Sequence, residues 1–332
     1  MNIGNPKIEP IEFLKMRDIG EVLSLTFRFI RDYFKPLMLG ILFLVLPFYI
    51  LGTILMISAL DGIIPSVLEV ETTSSVWSMM IAILFLAMGT VMIITYVNEL
   101  IYFVYSNPDK QVPNIWEIWN LTRRYFFWNL LHMIVWFIVC WMFLMSVYLV
   151  FFLLITIGIA GIALGGVAIA VIMIILAVLA MFFVMLYTVS ATVPMFFIAT
   201  CEKINIFSAL SRSFSLLHVS KIGFINSLLT NLLVVIIITI ISSNILMPVL
   251  IIEGFIGYNS GSSNPFSEQG TLIKVFYGVT YLISPFVYMI PLISNAMNYF
   301  NLRERLDAPG LKKRISLIGQ QTDFDIHQYE EE

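Results

Sequence analysis

FFWNLLHMIVWFIVCWMFLMSVYLVFFLLITIGIAGIALGGVAIAVIMIILAVLAMFFVMLYTVSATVPMFFIAT runs from Phe126 to Thr200 without one Asp, Glu, Lys or Arg. A helix crosses the roughly 30 Å hydrocarbon core of a bilayer with about 20 apolar residues. Backbone N–H and C=O groups in lipid must pair within the segment, so a run of this kind is helical. It is too long for one crossing. Its candidate break is Gly158–Gly166, where four glycines lower helix propensity. Two helices, Phe126–Ile157 and Gly166–Thr200, account for the stretch; four would leave no room for turns. The Gly161/Gly165 spacing reads as part of a tight turn, not as a helix-dimer face.

Both ends of the stretch are basic, with Arg123 and Arg124 before it and Lys203 and Arg212 after it. Cytoplasmic flanks are enriched in Lys and Arg, so the number of crossings between them is even. Working outward, further apolar runs fall at Pro36–Leu60, Val76–Tyr105, Lys221–Ser243 and Thr271–Phe300. Six spans place every one of the 18 basic residues except Lys274 on the side of the two termini. Five or seven would strand a terminal cluster outside. The expectation is an all-α, six-helix multi-pass protein of the cytoplasmic (plasma) membrane, N-in and C-in. Composition agrees: 60% apolar and 12% charged residues, against about 45–50% and 25% in soluble domains. An outer-membrane barrel would need alternating segments of about 10 residues, which do not occur. No cleavable signal peptide is visible in the polar or amphipathic N-terminal segment 1–18. A net charge of −3 gives no basis for a nucleic-acid partner. Cys140 and Cys201 offer no disulfide framework; Cys201, at a membrane edge, reads as a structural thiol before an acylation site.

The membrane region, 19–300, contains a repeating pattern. Ile19-Gly-Glu-Val-Leu-Ser-Leu-Thr-Phe27, Ile115-Trp-Glu-Ile-Trp-Asn-Leu-Thr-Arg123 and Ile206-Phe-Ser-Ala-Leu-Ser-Arg-Ser-Phe214 align on their isoleucines. Glu21, Glu117 and Ser208 then coincide, as do Ser24, Asn120 and Ser211, and Thr26, Thr122 and Ser213. Each copy is amphipathic at helical spacing, the pattern of a helix lying in the headgroup plane. Three units follow, about 19–105, 115–200 and 206–300, each an interfacial cytoplasmic helix and an out-and-back hairpin. Arg28, Arg31, Lys35, Arg123, Arg124 and Arg212 are the expected headgroup contacts, each nearby base adding on the order of 1 kcal/mol of attraction to anionic lipid. The tail, 301–332, has a basic half (Arg303, Arg305, Lys312, Lys313, Arg314) and an acidic end. It reads as a stop-transfer flank.

Ile19-Gly-Glu-Val-Leu, Phe27 and Tyr33-Phe-Lys-Pro-Leu37, followed by an apolar run with Pro47, resemble the opening of a known family. Val193-Pro194, Glu202 and Ala209-Leu-Ser-Arg-Ser-Phe-Ser-Leu216 resemble its later signature. This family is the membrane domain associated with glycerophosphodiester phosphodiesterases, with its stand-alone bacterial relatives. The resemblance spans roughly 17–300 and implies a lipid-associated or scaffold-like membrane module. It does not carry the phosphodiesterase activity, which in such enzymes resides in a separate soluble barrel with a His-Arg and Glu metal site. Here His132, His218 and His327 are not followed by arginine.

Ionisable groups inside a membrane cost roughly 2.5–3.5 kcal/mol on insertion scales and so need a reason. Glu99, beside Asn98, is the clearest, with pairing to Arg123 or Arg124 as the bland account. A polar layer towards the cytoplasmic side would comprise Asn98, Glu99, Asn129, His132, Asn226 and Asn298, with Thr230, Ser294 and Asn295. It could line a vestibule or supply interhelical hydrogen bonds of about 0.6 kcal/mol each. Pro47, Pro194, Pro285 and Pro291 should kink or end helices. Trp116, Trp119, Trp128 and Trp136 suit an interfacial belt, and Asn244–Ile256 could cover the outer face. No GxxxxGK[ST], HExxH, CxxC or GxSxG motif occurs, so no catalytic, cofactor or metal residue can be named. The leading expectation is a non-enzymatic protein handling membrane lipids or other membrane proteins. The alternative is a small transporter or permease-like subunit built around Glu99.

Overall fold

A computed structural model describes residues 11–66, 73–108, 114–163, 167–259 and 270–317. Ten α-helices follow in order among them: α1 Ile19–Asp32, α2 Phe34–Gly40, α3 Leu46–Ser66, α4 Thr73–Ser106, α5 Ile115–Ala163, α6 Val167–Thr192, α7 Pro194–Glu202, α8 Ile206–Leu217, α9 Lys221–Asn259 and α10 Gly270–Asp307. A π-helical turn, Ile41–Val45, joins α2 to α3, and a short helix at 309–317 follows α10. No strand occurs among the described residues.

Six stretches are long and apolar enough to cross a bilayer: Phe34–Ala59, Val76–Ser106, Trp116–Ile157, Val171–Glu202, Lys221–Asn244 and Gly278–Asp307. They fall on the six runs read from the sequence. The prolines act in different ways. Pro194 ends α6 and opens α7, whereas Pro285 and Pro291 lie within α10. Pro47 follows the π turn directly. A proline ring clashes with the carbonyl four residues back, and an extra residue in the preceding turn is one way a helix absorbs that clash.

The break between the third and fourth spans falls within Gly158–Gly166, after Ala163 at the end of α5 and before Val167 at the start of α6. Gly158 and Gly161 are helical, and Gly165 and Gly166 lie outside the described residues. Two expectations change. The segment 244–256 is a continuation of α9. The second amphipathic segment is no separate helix, because Ile115 to Ala163 is unbroken. In the first unit a turn at Tyr33 separates α1 from α2. In the third, His218–Ser220 separates α8 from α9, and Ser220 Oγ caps the next helix by accepting Gly223 N–H at 2.9 Å. No proline, glycine or capping serine stands between Arg123 and Trp136, so nothing stops the helix there.

The aligned positions of the three amphipathic segments share more than residue type. Each helix begins at the aligned isoleucine, preceded by a side-chain cap. Asp18 Oδ1 accepts Glu21 N–H at 2.8 Å while Glu21 accepts Asp18 N–H at 3.3 Å, a reciprocal capping box. Asn114 Oδ1 accepts Trp116 N–H at 3.3 Å, and Asn205 Oδ1 accepts Ser208 N–H at 2.9 Å. Val22, Ile118 and Ala209 are buried at the fourth position, and Thr26, Thr122 and Ser213 at the eighth. All three hydroxyls donate to backbone carbonyls, of Val22 (2.9 Å), Ile118 (2.8 Å) and Ala191 (2.6 Å).

The chain packs as two compact units whose boundaries do not follow the three units expected from the sequence. One comprises 1–27, 134–231 and 294–332; the other comprises 28–133 and 232–293. In the second, α3 lies against α4, with the Tyr96 hydroxyl donating to the Pro36 carbonyl at 2.5 Å. In the first, the N-terminal segment lies on the end of α10. Phe13 stacks against Phe300 at 4.9 Å, Arg17 N–H donates to Asn301 Oδ1 at 2.8 Å, and Arg305 donates to the Arg17 carbonyl at 3.0 Å. The buried Arg17 guanidinium donates to the carbonyls of Glu12, Phe13 and Lys15. Burial pulls its pKa below the ordinary arginine value, opposed by Glu12 and Glu21. Arg314 of the tail pairs with Glu12. The segments 12–17 and 300–314 thus lie together.

Candidate functional site

The unit comprising 28–133 and 232–293 buries a carboxylate and an imidazole, Glu99 and His132, almost completely. Thr95, Asn98 and Glu99 occupy one face of α4, at the i, i+3, i+4 spacing that makes helical neighbours. Asn129 and His132 do the same on α5. Glu99 is 2% exposed and His132 1%. Four of these residues had been expected in a polar layer; Thr95 had not, although it stands four residues before Glu99.

A directed hydrogen-bond chain joins the helices. Thr95 donates its hydroxyl to the Val91 carbonyl at 2.8 Å, so its oxygen accepts from Asn129 Nδ2 at 3.1 Å. That orientation turns Asn129 Oδ1 to His132 Nδ1, 3.2 Å away. Nδ1 must then carry the proton, and Nε2 is left as a bare acceptor. Among the described residues Nε2 of His132 and Nδ2 of Asn98 have no hydrogen-bond partner. Histidine 15N spectra with His132 as the one remaining histidine (His218→Gln, His327→Gln) should show the Nδ1–H tautomer at neutral pH. In Asn129→Leu that preference should vanish, whereas a dominant Nε2–H form in the parent would overturn the assignment.

The other expected members of the layer lie in the other unit, in a different arrangement. Asn298 Nδ2 donates to Ser227 Oγ at 2.7 Å, and Asn231 Nδ2 to Ser190 Oγ at 2.8 Å. Trp136 Nε1 donates to Thr192 Oγ1 at 2.8 Å. These are one-to-one links between helices, the glue expected in membranes. Asn226 is half-buried, outside these pairs. At the end of α10, Tyr299 donates to Glu202 at 2.8 Å, and Arg212 is held by Glu202 (3.6 Å) and Asp307. Arg303 reaches Asp307 at 3.9 Å. Arg212, expected at lipid headgroups, is thus tied inward with its side chain 26% exposed, against 75% for Arg31. Arg28 is partly engaged with Asp32 at 3.4 Å, while Lys35, Arg123 and Arg124 are exposed.

Among the described residues no group of three or more His, Cys, Asp or Glu side chains could hold a metal ion. No family profile, curated protein or solved structure matches the chain.

Proposed function

We propose that this chain is a non-enzymatic protein of the cytoplasmic membrane, N-in and C-in. In this reading it holds or organises anionic lipid through three interfacial amphipathic segments repeated along its length. The observation that carries it is the pairing of exposed aromatic rings with exposed bases at those segments. Phe27 and Phe34 flank Arg31 and Lys35, Phe207 follows Lys203, and Trp116 and Phe127 bracket Arg123 and Arg124. Rings of this kind seat in the acyl boundary while the bases meet phosphate. The shared caps, buried hydroxyls and helix starts support a threefold repeat. The resemblance to membrane domains associated with glycerophosphodiester phosphodiesterases agrees with a lipid-associated role.

The double variant Arg31→Gln/Lys35→Gln tests this. Two bases worth on the order of 1 kcal/mol each predict roughly 30-fold weaker retention of phosphatidylglycerol at low salt. Phosphatidylcholine retention should be unchanged, both counted by native mass spectrometry. Equal retention of phosphatidylglycerol in parent and variant would refute the reading.

A second reading, a small transporter or permease-like subunit, is favoured by one observation: the almost complete burial of Glu99 in a polar file with Asn98, Thr95, Asn129 and His132. Glu99→Gln should then abolish any proton- or ion-dependent phenotype. Unchanged behaviour would count against transport.

A further inference from the structure

The unit comprising 28–133 and 232–293 has an open cavity of about 140 Å³ lined by residues of α9 and α10. Ile238 and Ser242, one turn apart, come from α9; Thr280, Ser284, Val287 and Tyr288 come from α10. A cavity of about 150 Å³ accommodates a ligand as large as benzene, so this one suits about six non-hydrogen atoms. No charged side chain lines it. Its walls are largely aliphatic, and its polar atoms are hydroxyls. Tyr288 at its mouth is 48% exposed, on the surface of a helix that spans the membrane in this reading.

The hydroxyls are not equivalent. Pro285 cannot supply the N–H that the Tyr281 carbonyl would otherwise accept, and Ser284 Oγ donates to that carbonyl at 2.8 Å. With its proton committed, Ser284 presents lone pairs. Thr280, one turn away on the same face, has a buried Oγ1 with no hydrogen-bond partner among the described residues. Near Ser284, the Tyr49 hydroxyl is committed to Thr90, 3.1 Å away, since Thr90 itself donates to Leu86. Together Thr280 and Ser284 offer one donor and one acceptor a helical turn apart, in otherwise apolar surroundings.

We propose that this cavity binds the hydroxyl end of a neutral amphiphile, an uncharged long-chain alcohol entering sideways from the bilayer. The ligand O–H donates to Ser284 Oγ and its oxygen accepts from Thr280 Oγ1, while its chain lies along Ile238 and Val287. A carboxylate or phosphate would meet no counter-charge here, and a plain hydrocarbon would leave Thr280 unpaired. The site is independent of the headgroup reading above, which rests on exposed bases.

The test is photolabelling of the full-length protein in nanodiscs with a diazirine-bearing long-chain alcohol and a diazirine hydrocarbon of equal length. Adducts are mapped by mass spectrometry. The alcohol should label the peptides around Ile238–Ser242 and Thr280–Tyr288 in preference to the hydrocarbon. Thr280→Val, which keeps the volume and removes the donor, should lower alcohol labelling about fivefold, the equivalent of one net hydrogen bond, and leave hydrocarbon labelling unchanged. Ser242→Leu, which fills the space, should lower both. Equal labelling by the two probes, absence of labelling by the alcohol, or indifference to Thr280→Val would overturn the proposal.

Discussion

Replacing Gly40 with alanine should destabilise the folded protein by about 3 kcal/mol, the upper end of what overpacking costs. A methyl group at Gly40 would fall inside the ring of Tyr96, touching Cζ, Cε1 and Oη. Tyr96 cannot move aside cheaply. It is fully buried, and its hydroxyl is fixed on the Pro36 carbonyl one turn before Gly40. Either the ring or α2 must shift. Thermal unfolding in detergent should show the loss as a midpoint lowered by several degrees. Two comparisons separate clash from hydrogen bond. Tyr96→Phe removes only the hydrogen bond, worth about 0.5–1.5 kcal/mol. Gly20→Ala, whose added carbon would meet nothing closer than 3.6 Å, should cost nothing. A Gly40→Ala protein as stable as its parent would mean that Tyr96 does not pack over α2.

Removing the Glu304 carboxylate should release the tail. Glu304 is buried, and its two oxygens accept Gly310 N–H at 2.8 Å and Leu311 N–H at 2.9 Å, capping the helix at 309–317. Ala308 makes the intervening turn in the left-handed region, φ 49°. Hydrogen bonds to an ionised group contribute about 1.5–3 kcal/mol each, and an anion at a helix start also complements the helix dipole. Glu304→Gln can satisfy one N–H but turns its own amide N–H₂ on the other. Amides of 309–317 should then exchange with solvent at least about tenfold faster, one lost bond of that size being worth a factor of ten or more. Protection should fall at 12–17 as well, since Gly310 lies against the Leu14 carbonyl and Arg314 pairs with Glu12. If the tail amides exchange as in the parent, Glu304 is not the clasp.

The six spans were legible because charge and hydropathy are local properties: Arg123, Arg124 and Lys203 mark the ends of their apolar runs whatever the helices touch. The alignment of the three amphipathic segments was equally readable. Asp18, Asn114 and Asn205 each stand directly before an aligned isoleucine, and side-chain caps are a sequence signal in their own right. Facing was not legible. A helix apolar all round has no stripe to assign, so Asn98 and Asn226 looked alike, though one is buried and the other only half so. The inward turn of Arg212 depends on Asp307, far along the chain, and no spacing rule connects them. The hydroxyl cavity was hidden for the same reason, since Tyr49, Ser242, Thr280 and Ser284 are unremarkable one by one.

The unbroken α5 has a mechanical consequence. Its 49 residues run on without a turn, where a single crossing needs about 20. The turns at Tyr33 and at His218–Ser220 act as joints that isolate α1 and α8 from the spans they precede. Without such a joint, Trp116 and Arg123 sit on the same continuous helix as Asn129 and His132, and a reorientation of that buried pair carries them with it. Of the three amphipathic segments, this one alone is a lever.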